Sequence, residues 1–397
     1  MLFYICKKIN EEVVHLQGDV CKIIAKRISI CYNKKGGLTM ANKNLQKAKS
    51  AKNDEFYTQY VDIEKEMNAY LYYNKDVFRG KTVLCPCDDP EWSNFTKYFA
   101  QSFDRLGLKK LISTSFAYNS KEPKPEFDWQ PTLFETENAK YNAEKSIKNG
   151  KIFTLTDKDE PPRNIEKLDW NYLEGDGDFR SDEVRALRDE ADVIVTNPPF
   201  SLFREFIAWI FEAKKEFAVI GNKNAITYKE IFPLIMQNKM WVGKTPMSQD
   251  ILFNVPNQSQ FTEEKKVGSG FKVVNGIVYA RAPAVWFTNI EHGRRHQPIS
   301  LMDTIDNIRY SNHKEIRENG YQKYDNYDAI EVPFTETIPK DYDGVMGVPI
   351  SFMDKYCPEQ FEIVGLANHG KDNEYDLFAP KLNGRTVFKR ILIRVKQ

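Results

Sequence analysis

Short apolar runs alternate with amphipathic segments through the central third of the chain. The runs at 81–87, 109–118, 191–197 and 216–222 are rich in consecutive apolar residues, which is typical of parallel strands buried on both faces. The segments that follow the first and third runs carry apolar residues at helical spacing. Together these features predict an α/β fold, a doubly wound and mostly parallel sheet with helices on both sides.

Two of the helices have clear buried faces. The helix after the first strand is predicted to end at Gly107, because glycine is common just past a helix C-terminus. Its apolar residues are Phe95, Tyr98, Phe99, Phe103 and Leu106. The helix after the third strand is predicted to bury Phe203, Phe206, Ile207, Ile210 and Phe211.

A polar span at 119–170 interrupts this alternation. It contains five prolines, which disfavour regular secondary structure. The Asn149-Gly150 pair within it predicts a two-residue hairpin turn. We expect the span to be an insertion at the ligand-binding edge of the sheet.

The pattern changes to β-branched and aromatic residues from about Met240 onward. Asn275-Gly276 predicts a hairpin there, and the segment 384–397 is predicted to pair as a strand with 361–368. These changes divide the chain into a basic extension (1–52), an α/β core (53–240), a β-rich region (241–345) and terminal strands that complete the fold (346–397).

Charge is unevenly distributed along the chain. Residues 1–52 carry 11 Lys and Arg against 3 Asp and Glu, although the whole chain has a net charge of +1. Two interpretations of this start remain open. It is either a genuine basic extension, or Lys-Lys-Gly-Gly before Met40 is a translated ribosome-binding site upstream of the true start.

Several classes of protein are not favoured. No apolar run reaches the 18 residues of a membrane span, and the six cysteines are scattered without paired CxxC elements. We therefore expect a cytoplasmic protein without a structural metal. His292 and His296 have the spacing of a helical metal pair, but Gly293 disfavours a helix between them and no third ligand is evident.

The third strand ends in Asn197-Pro198-Pro199-Phe200. Ligands bind open α/β sheets at the carboxyl ends of the strands. The prolines stiffen the loop and remove two donors, so the groups it offers are acceptors, the Asn197 side-chain oxygen and backbone carbonyls, beside an aromatic ring. This combination suits the exocyclic amine of a planar base that has been flipped out of a duplex. The alternative is a proline-rich turn without a ligand.

The loop resembles the motif of amino-group methyltransferases that use S-adenosylmethionine. Further segments, in the same order, resemble the EcoRI-type adenine-specific DNA methyltransferase family over about 52–396: KNDEFYTQYVDIEKEM, CDDPEWSNFTKYF, GDGDFRSDE, TNPPFSLFREF, GNKNAITYKEIFPLI, YDGVMGVPISFMDKY and FEIVG. The resemblance implies a Rossmann-like methyltransferase fold, with 53–240 as the catalytic core and 241–345 as a β-rich target-recognition region. It also implies methyl transfer to adenine N6 in DNA, with Asn197, Pro198 and Phe200 holding the target base.

The resemblance also implies where the cofactor S-adenosylmethionine binds. Three groups of residues are expected to contact it: Phe56, Tyr57 and Thr58 before the first strand, Cys85, Asp88 and Asp89 after it, and Asp176, Asp178 and Phe179 near the adenine ring. The chain departs from the general methyltransferase pattern in two places. A Pro-Cys-Asp-Asp-Pro turn replaces Gly-x-Gly, and the second strand does not end in a ribose-binding acid.

Further residues are candidates for substrate binding. Pro199 lies in the loop, and Asn222, Lys223 and Asn224 follow the fourth strand, where a helix cap and turn is the alternative. Arg294 and Arg295 lie in a basic segment, which either contacts DNA or is a solvated loop. Arginine can donate to guanine or to phosphate.

The sequence as a whole predicts a monomeric adenine-specific methyltransferase. Its partner is duplex DNA, and it acts as the modification side of a restriction-modification system, with a separate cognate endonuclease, or as an orphan enzyme. The host is a bacterial or phage-infected cell. Two alternatives remain open: a methyltransferase that acts on RNA or on protein glutamine, and a catalytically inactive DNA-binding relative.

Overall fold

The strands and helices of the computed structural model lie within residues 57–117, 140–159, 169–254, 270–368 and 379–396, the ranges that it describes. The strands are β1 (Tyr57–Thr58), β2 (Thr82–Cys85), β3 (Lys110–Thr114), β4 (Lys151–Thr156), β5 (Trp170–Tyr172), β6 (Val193–Thr196), β7 (Glu216–Asn222), β8 (Trp241–Val242), β9 (Ile251–Asn254), β10 (Phe271–Val274), β11 (Ile277–Ala282), β12 (Ala284–Thr288), β13 (Ala329–Glu331), β14 (Val345–Val348), β15 (Phe361–Ala367), β16 (Lys381–Leu382), β17 (Arg385–Thr386) and β18 (Arg390–Val395). The helices are α1 (Tyr60–Tyr73), α2 (Asn94–Gln101), α3 (Phe103–Leu106), α4 (Ala143–Lys148), α5 (Asp182–Glu190), α6 (Phe203–Glu212), α7 (Phe232–Met236), α8 (Thr304–Tyr310) and α9 (Lys314–Asn319).

An eight-stranded sheet forms the centre, in the order β5-β4-β3-β2-β6-β7-β12-β8. The four middle strands are parallel, whereas β4, β5, β12 and β8 each pair antiparallel with their neighbours. The expected α/β fold with a mostly parallel sheet is thus confirmed. Because β2, β6 and β7 run side by side in the same direction, their carboxyl ends meet at one edge.

Helices cover both faces of this sheet. On one face Val83, Val193 and Ala218 pack with apolar residues of α1, α2 and α3. On the other face their neighbours Leu84, Ile194 and Phe217 pack with α5 and α6. Alternate residues of a strand point to opposite faces. Burial on both faces therefore explains why these strands are apolar at consecutive positions.

The two helical segments largely follow the predicted pattern. The first is broken into α2 and α3, and Gly107 ends it in the left-handed region at φ 63°. The Ser93 side chain caps α2 by accepting from the backbone N–H of Phe95. In α6 the buried residues include Trp209, whereas Phe211 is only half-buried.

The hairpin predicted at Asn149-Gly150 is wrong. Asn149 instead ends α4, and its side chain donates to the carbonyl oxygens of Leu173 (2.9 Å) and Glu174 (2.8 Å). A Cβ on Gly150 would lie 2.3 Å from the Ser115 carbonyl oxygen, so this glycine permits close backbone packing rather than a turn. The rest of the proposed insertion, 119–139 and 160–168, lies outside the described residues, as does the 1–52 extension.

The region after Met240 divides between two sheets. β9, β10 and β11 form an antiparallel sheet with β1, and the predicted Asn275-Gly276 hairpin is confirmed, with φ 50° and 79° at its two turn residues. β8 and β12, however, pair in the central sheet. The region 241–345 therefore contributes strands to the central sheet and also pairs with β1 in a second sheet.

A third sheet, in the order β13-β14-β18-β15, combines strands of the terminal segment with β13, which lies within 241–345. The predicted pairing of the last strand is confirmed, because β18 lies antiparallel to β15. Its residues Ile391 and Ile393 join the apolar cluster that also holds Phe232 and Ile235 of α7. In the described ranges, no helix is long and apolar enough to span a membrane.

Candidate active site

Asn197 follows directly after β6, the strand between β2 and β7. Asn197 as a whole is half-buried, but its side-chain oxygen Oδ1 is fully buried and accepts no hydrogen bond from the described residues. Buried polar groups in proteins are nearly always paired, so an orphan acceptor needs an explanation. Its position at the carboxyl edge of the sheet points to a ligand that donates a hydrogen bond.

The rest of the loop is held firmly. Pro198 is buried and Pro199 is exposed, with φ −55° and ψ 123° at Pro199. Phe200 is half-buried and begins a 3-10 turn. The Phe203 ring then packs against β7, where a Cβ on Gly221 would lie 2.4 Å from it. The packing of Phe203 against β7 therefore fixes the end of the loop that follows Phe200.

Asp88 connects the turn after β2 with the strand that carries Asn197. Its carboxylate accepts from the Ser93 hydroxyl (2.6 Å) and the Thr196 hydroxyl (2.5 Å). Burial raises the pKa of Asp88 to about 7, although the hydrogen bonds from Ser93 and Thr196 oppose this rise. The carboxyl group therefore positions the residue that immediately precedes Asn197.

The raised pKa of Asp88 leads to a prediction for stability. A free Asp ionises near pH 4. Between about pH 4 and pH 7, Asp88 therefore loses its carboxyl proton in the unfolded state but keeps it in the folded state. Wild type should therefore lose stability relative to Asp88→Asn across this window, with no further change above it. Urea unfolding of both proteins from pH 4 to 8 measures the difference, with the exposed Asp157→Asn as control. A constant difference would contradict the assignment.

Cys85 and Asp89, the other two residues near this turn that were expected to contact the cofactor, have different surroundings. Cys85 is fully buried at the end of β2, and burial raises the pKa of its thiol well above the usual range, so its contribution is packing. Asp89 lies 3.6 Å from the ammonium of Lys151, a buried lysine that also binds Glu91 at 2.7 Å. Trp170 donates to the same Glu91 carboxylate (2.9 Å).

The negative charge of the acidic segment after β5, Asp176 to Asp178, is partly neutralised by Arg180. Both oxygens of Asp178 accept from the Arg180 guanidinium, and this pairing holds the pKa of Arg180 above its usual value. Asp176 is half-buried and accepts from the Asp178 backbone N–H at 3.0 Å. Phe179 is only 5% exposed and its ring contacts Phe206 and Trp209 edge-on. Its ring is thus occupied by core packing rather than available for stacking on a cofactor.

Gly177 connects this acidic segment to the end of β3. It has φ +79°, and an added Cβ would lie 2.1 Å from the Ser115 carbonyl oxygen. The neighbouring Asp176 carbonyl accepts from Ala117 N–H at 2.7 Å. The backbone of 176–177 therefore packs directly against the backbone of 115–117, with no room for a side chain at Gly177.

We expect Gly177→Ala to lower the free energy of unfolding by about 2–3 kcal/mol, through positive φ and steric overlap. Gly276→Ala is the matched control. It has the same φ of +79°, but nothing lies within 4 Å of its added Cβ. Urea unfolding separates the two effects, and equal losses in the two variants would show that close packing at Ser115 contributes nothing.

The segment before the first core strand is only partly described. Phe56 and the side chain of Tyr57 lie outside the described part. The backbones of Tyr57 and Thr58 pair with Asn254 and Phe253 of β9, and Asn94 at the start of α2 donates to the Thr58 carbonyl (2.7 Å). The buried Thr58 hydroxyl has no partner in the described ranges.

The three residues at the end of β7 are mainly structural. Asn222 accepts from the Asn224 backbone N–H at 2.9 Å and caps the short helix that follows. The Lys223 ammonium donates to the Met247 carbonyl, while Asn224 is exposed. The helix-cap alternative therefore holds for Asn222, and the Asn224 side chain remains accessible at the sheet edge.

The structure places Arg295, which was predicted to contact DNA, in a buried position. Arg295 is 4% exposed, and its guanidinium lies 3.8 Å from the centre of the Trp241 ring. Arg294 is half-buried and donates to the Gly243 carbonyl at 2.7 Å. His292 is also buried and binds the Val242 carbonyl. In the described ranges, no cluster of three or more potential metal ligands is found.

Glu66 is a buried residue that sequence reasoning missed. Its carboxylate, on α1, accepts from the Tyr70 hydroxyl, the Lys244 backbone N–H and both the N–H and hydroxyl of Thr245. These bonds tie α1 to the loop after β8. A glutamate in a helix is usually exposed, and its partners Lys244 and Thr245 lie almost 180 residues away. No local pattern could therefore reveal this contact.

Comparison with known proteins identifies relatives along almost the whole chain. The family model described as "Adenine-specific methyltransferase EcoRI" matches residues 44–396. The Type II methyltransferase M.EcoRI of Escherichia coli is 39% identical over 358 residues, 90% of this chain and 97% of the relative. M.MpnI of Mycoplasma pneumoniae is 34% identical over 81% of this chain and 85% of its own length. M.MgeORF184P of Mycoplasma genitalium is 34% identical over 89% and 99%.

A comparison with solved structures finds no significant match. The family match nevertheless covers the turn after β2, the acidic segment after β5, the loop after β6 and the terminal strands. The chain therefore belongs to the EcoRI family of adenine-specific methyltransferases and is a site-specific DNA methyltransferase.

Proposed function

We propose that the enzyme transfers a methyl group from S-adenosylmethionine to N6 of an adenine flipped out of duplex DNA. The observation that carries this proposal is the buried Asn197 Oδ1, which accepts no hydrogen bond from the described residues. An exocyclic amine is a donor that would satisfy it. The family's adenine specificity supports N6 as that amine, because N6 is the exocyclic amine of adenine.

Asn197 would act by positioning. An N6 amine can donate one hydrogen bond to Asn197 Oδ1 and a second to a backbone carbonyl of the same loop. Two acceptors would draw the nitrogen toward tetrahedral geometry and orient its lone pair. The half-buried Phe200 ring would stack on the base and offset part of the cost of leaving the duplex.

The residues around the turn after β2 fit a polar cofactor. When bound, S-adenosylmethionine supplies an activated methyl group on a sulfonium. The unpartnered Thr58 hydroxyl and the backbone of the Asp88–Asp89 turn would hold it, with Asp176 on the side of the β5 segment. Asp88 would keep Thr196, and hence Asn197, in register with this turn. Cys85 and Phe179 would support the site by packing.

The region 241–345 would read the DNA sequence. Its β10–β11 hairpin bears the exposed Lys272, whereas Arg281 is paired with Asp250 at 2.7 Å. The residues 53–240 would form the catalytic core, and 346–397 would complete the fold. The enzyme would act as a monomer in the cytoplasm of a bacterial or phage-infected cell. It would serve either beside a cognate restriction endonuclease or alone.

A substrate panel tests this proposal. Duplex DNA, RNA of the same sequence and a glutamine-containing peptide are incubated separately with S-adenosylmethionine labelled in its methyl group. We expect label on duplex DNA only. Label on RNA or peptide instead would support the alternative substrates, and no label together with no cofactor binding by calorimetry would identify an inactive relative.

A further inference from the structure

The end of the chain concentrates positive charge. Residues 379–396 include Lys381, Arg385, Lys389, Arg390, Arg394 and Lys396, and no Asp or Glu. The whole chain is close to neutral, with a net charge of +1. Completing the third sheet does not require this excess of positive charge.

Part of this segment is a well-defined two-stranded ribbon. β16 and β17 pair antiparallel, with Lys381 opposite Thr386 and Leu382 opposite Arg385. Asn383 and Gly384 have φ 50° and 75°, as a tight hairpin turn requires. Their backbone N–H groups donate to the two oxygens of Asp325, at 3.2 and 2.7 Å. The ribbon is therefore fixed to the segment before β13.

The two basic side chains of the ribbon are available to a partner. Lys381 and Arg385 are exposed, and within the described ranges neither forms an ion pair. Since adjacent positions of a strand alternate between faces, the cross-strand pairs place Lys381 and Arg385 on opposite faces of the ribbon. By contrast Arg390 is paired with the buried Glu331 at 2.6 Å, which is a structural use of charge.

Lys389, three residues after β17, contacts an element that begins at the same edge of the sheet as Asn197. The Lys389 ammonium donates to the Thr227 hydroxyl at 2.9 Å. Thr227 ends the short helix that begins immediately after the carboxyl end of β7, and β7 pairs in parallel with β6. Phe388, which lies between β17 and Lys389 in the chain, is 66% exposed.

We propose that the ribbon formed by β16 and β17 is a DNA-binding element that enters a groove beside the target adenine. The major groove of B-DNA admits a two-stranded β-ribbon, and phosphates line both of its walls. Positive side chains on both faces of the ribbon match that arrangement, with Lys381 facing one wall and Arg385 the other. This inference rests on the proposed action on duplex DNA.

Charge reversal tests the proposal. Lys381→Glu/Arg385→Glu is compared with Lys75→Glu/Lys109→Glu, which makes the same change in net charge. Lys75 and Lys109 are exposed in the turn after α1 and just before β3, the latter at the amino end of its strand. Binding to duplex DNA is measured by fluorescence anisotropy between 50 and 300 mM salt.

We expect the ribbon variant to bind DNA about tenfold more weakly and to lose about two units from the slope of log K against log salt, close to one for each phosphate contact. The control should keep the wild-type slope. Melting temperatures of both variants should match wild type, because all four side chains are exposed. Equal slopes for ribbon variant and control would overturn the proposal.

The result separates this inference from the proposed function. If wild type methylates duplex DNA and the ribbon variant binds and methylates as well as wild type, the ribbon proposal fails alone. If wild type itself neither binds nor methylates duplex DNA, the proposed function fails and the ribbon proposal fails with it.

Discussion

Asn197→Ala is expected to lower the rate of methyl transfer to duplex DNA by about 10³-fold, the size of effect seen when one preorganised polar group is removed from a reacting centre. The variant loses the buried acceptor Oδ1 but no core contact, so its stability should stay near wild type. Single-turnover transfer of labelled methyl groups measures the rate, and calorimetry should find unchanged cofactor binding.

Two comparisons make this prediction sharper. Asn197→Asp keeps an acceptor oxygen at the same position, so it should retain more activity than the alanine variant. Asn171→Ala removes an exposed asparagine of β5 and should be as active as wild type. If Asn197→Ala kept more than a tenth of wild-type activity, Asn197 would not hold the reacting amine.

Glu66→Ala should have the largest effect on stability. The carboxylate is fully buried and accepts from Tyr70, Lys244 and Thr245. Without it several buried donors lose their acceptor, which should lower the free energy of unfolding by about 3–5 kcal/mol. Urea unfolding by circular dichroism measures the change.

Glu64→Ala is the matched control for this prediction. Glu64 lies on the same helix but is exposed, so its loss should change the free energy of unfolding by less than about 0.5 kcal/mol. A loss for Glu66→Ala no larger than that of the control would show that the link between α1 and the loop after β8 contributes little.

Local patterns in the sequence were sufficient to predict the strands of the central sheet and the position of the loop after β6. Consecutive apolar residues predict strands buried on both faces, and the structure has β2, β3, β6 and β7 at those runs. The position of Asn197 follows because a parallel sheet brings the carboxyl ends of its strands to one edge. Both inferences depend on the spacing of apolar residues and on the direction of the strands, which can be determined from short segments of the sequence.

Contacts between distant segments could not be predicted in this way. Asn149-Gly150 has the composition of a hairpin turn, but Asn149 binds the backbone beyond β5 and Gly150 packs against Ser115. Arg295 belongs to a basic segment that suggests solvent or DNA, yet it is buried against Trp241, more than 50 residues earlier in the chain. In each case a tertiary partner decides the role of the residue.

Asn197 is expected to present adenine N6 for methylation in duplex DNA. Nucleoside analysis by mass spectrometry tests this role, after duplex DNA is incubated with S-adenosylmethionine that carries a deuterated methyl group. Wild type should yield deuterated N6-methyldeoxyadenosine and Asn197→Ala essentially none. Label on cytosine, or equal label from both proteins, would contradict this role.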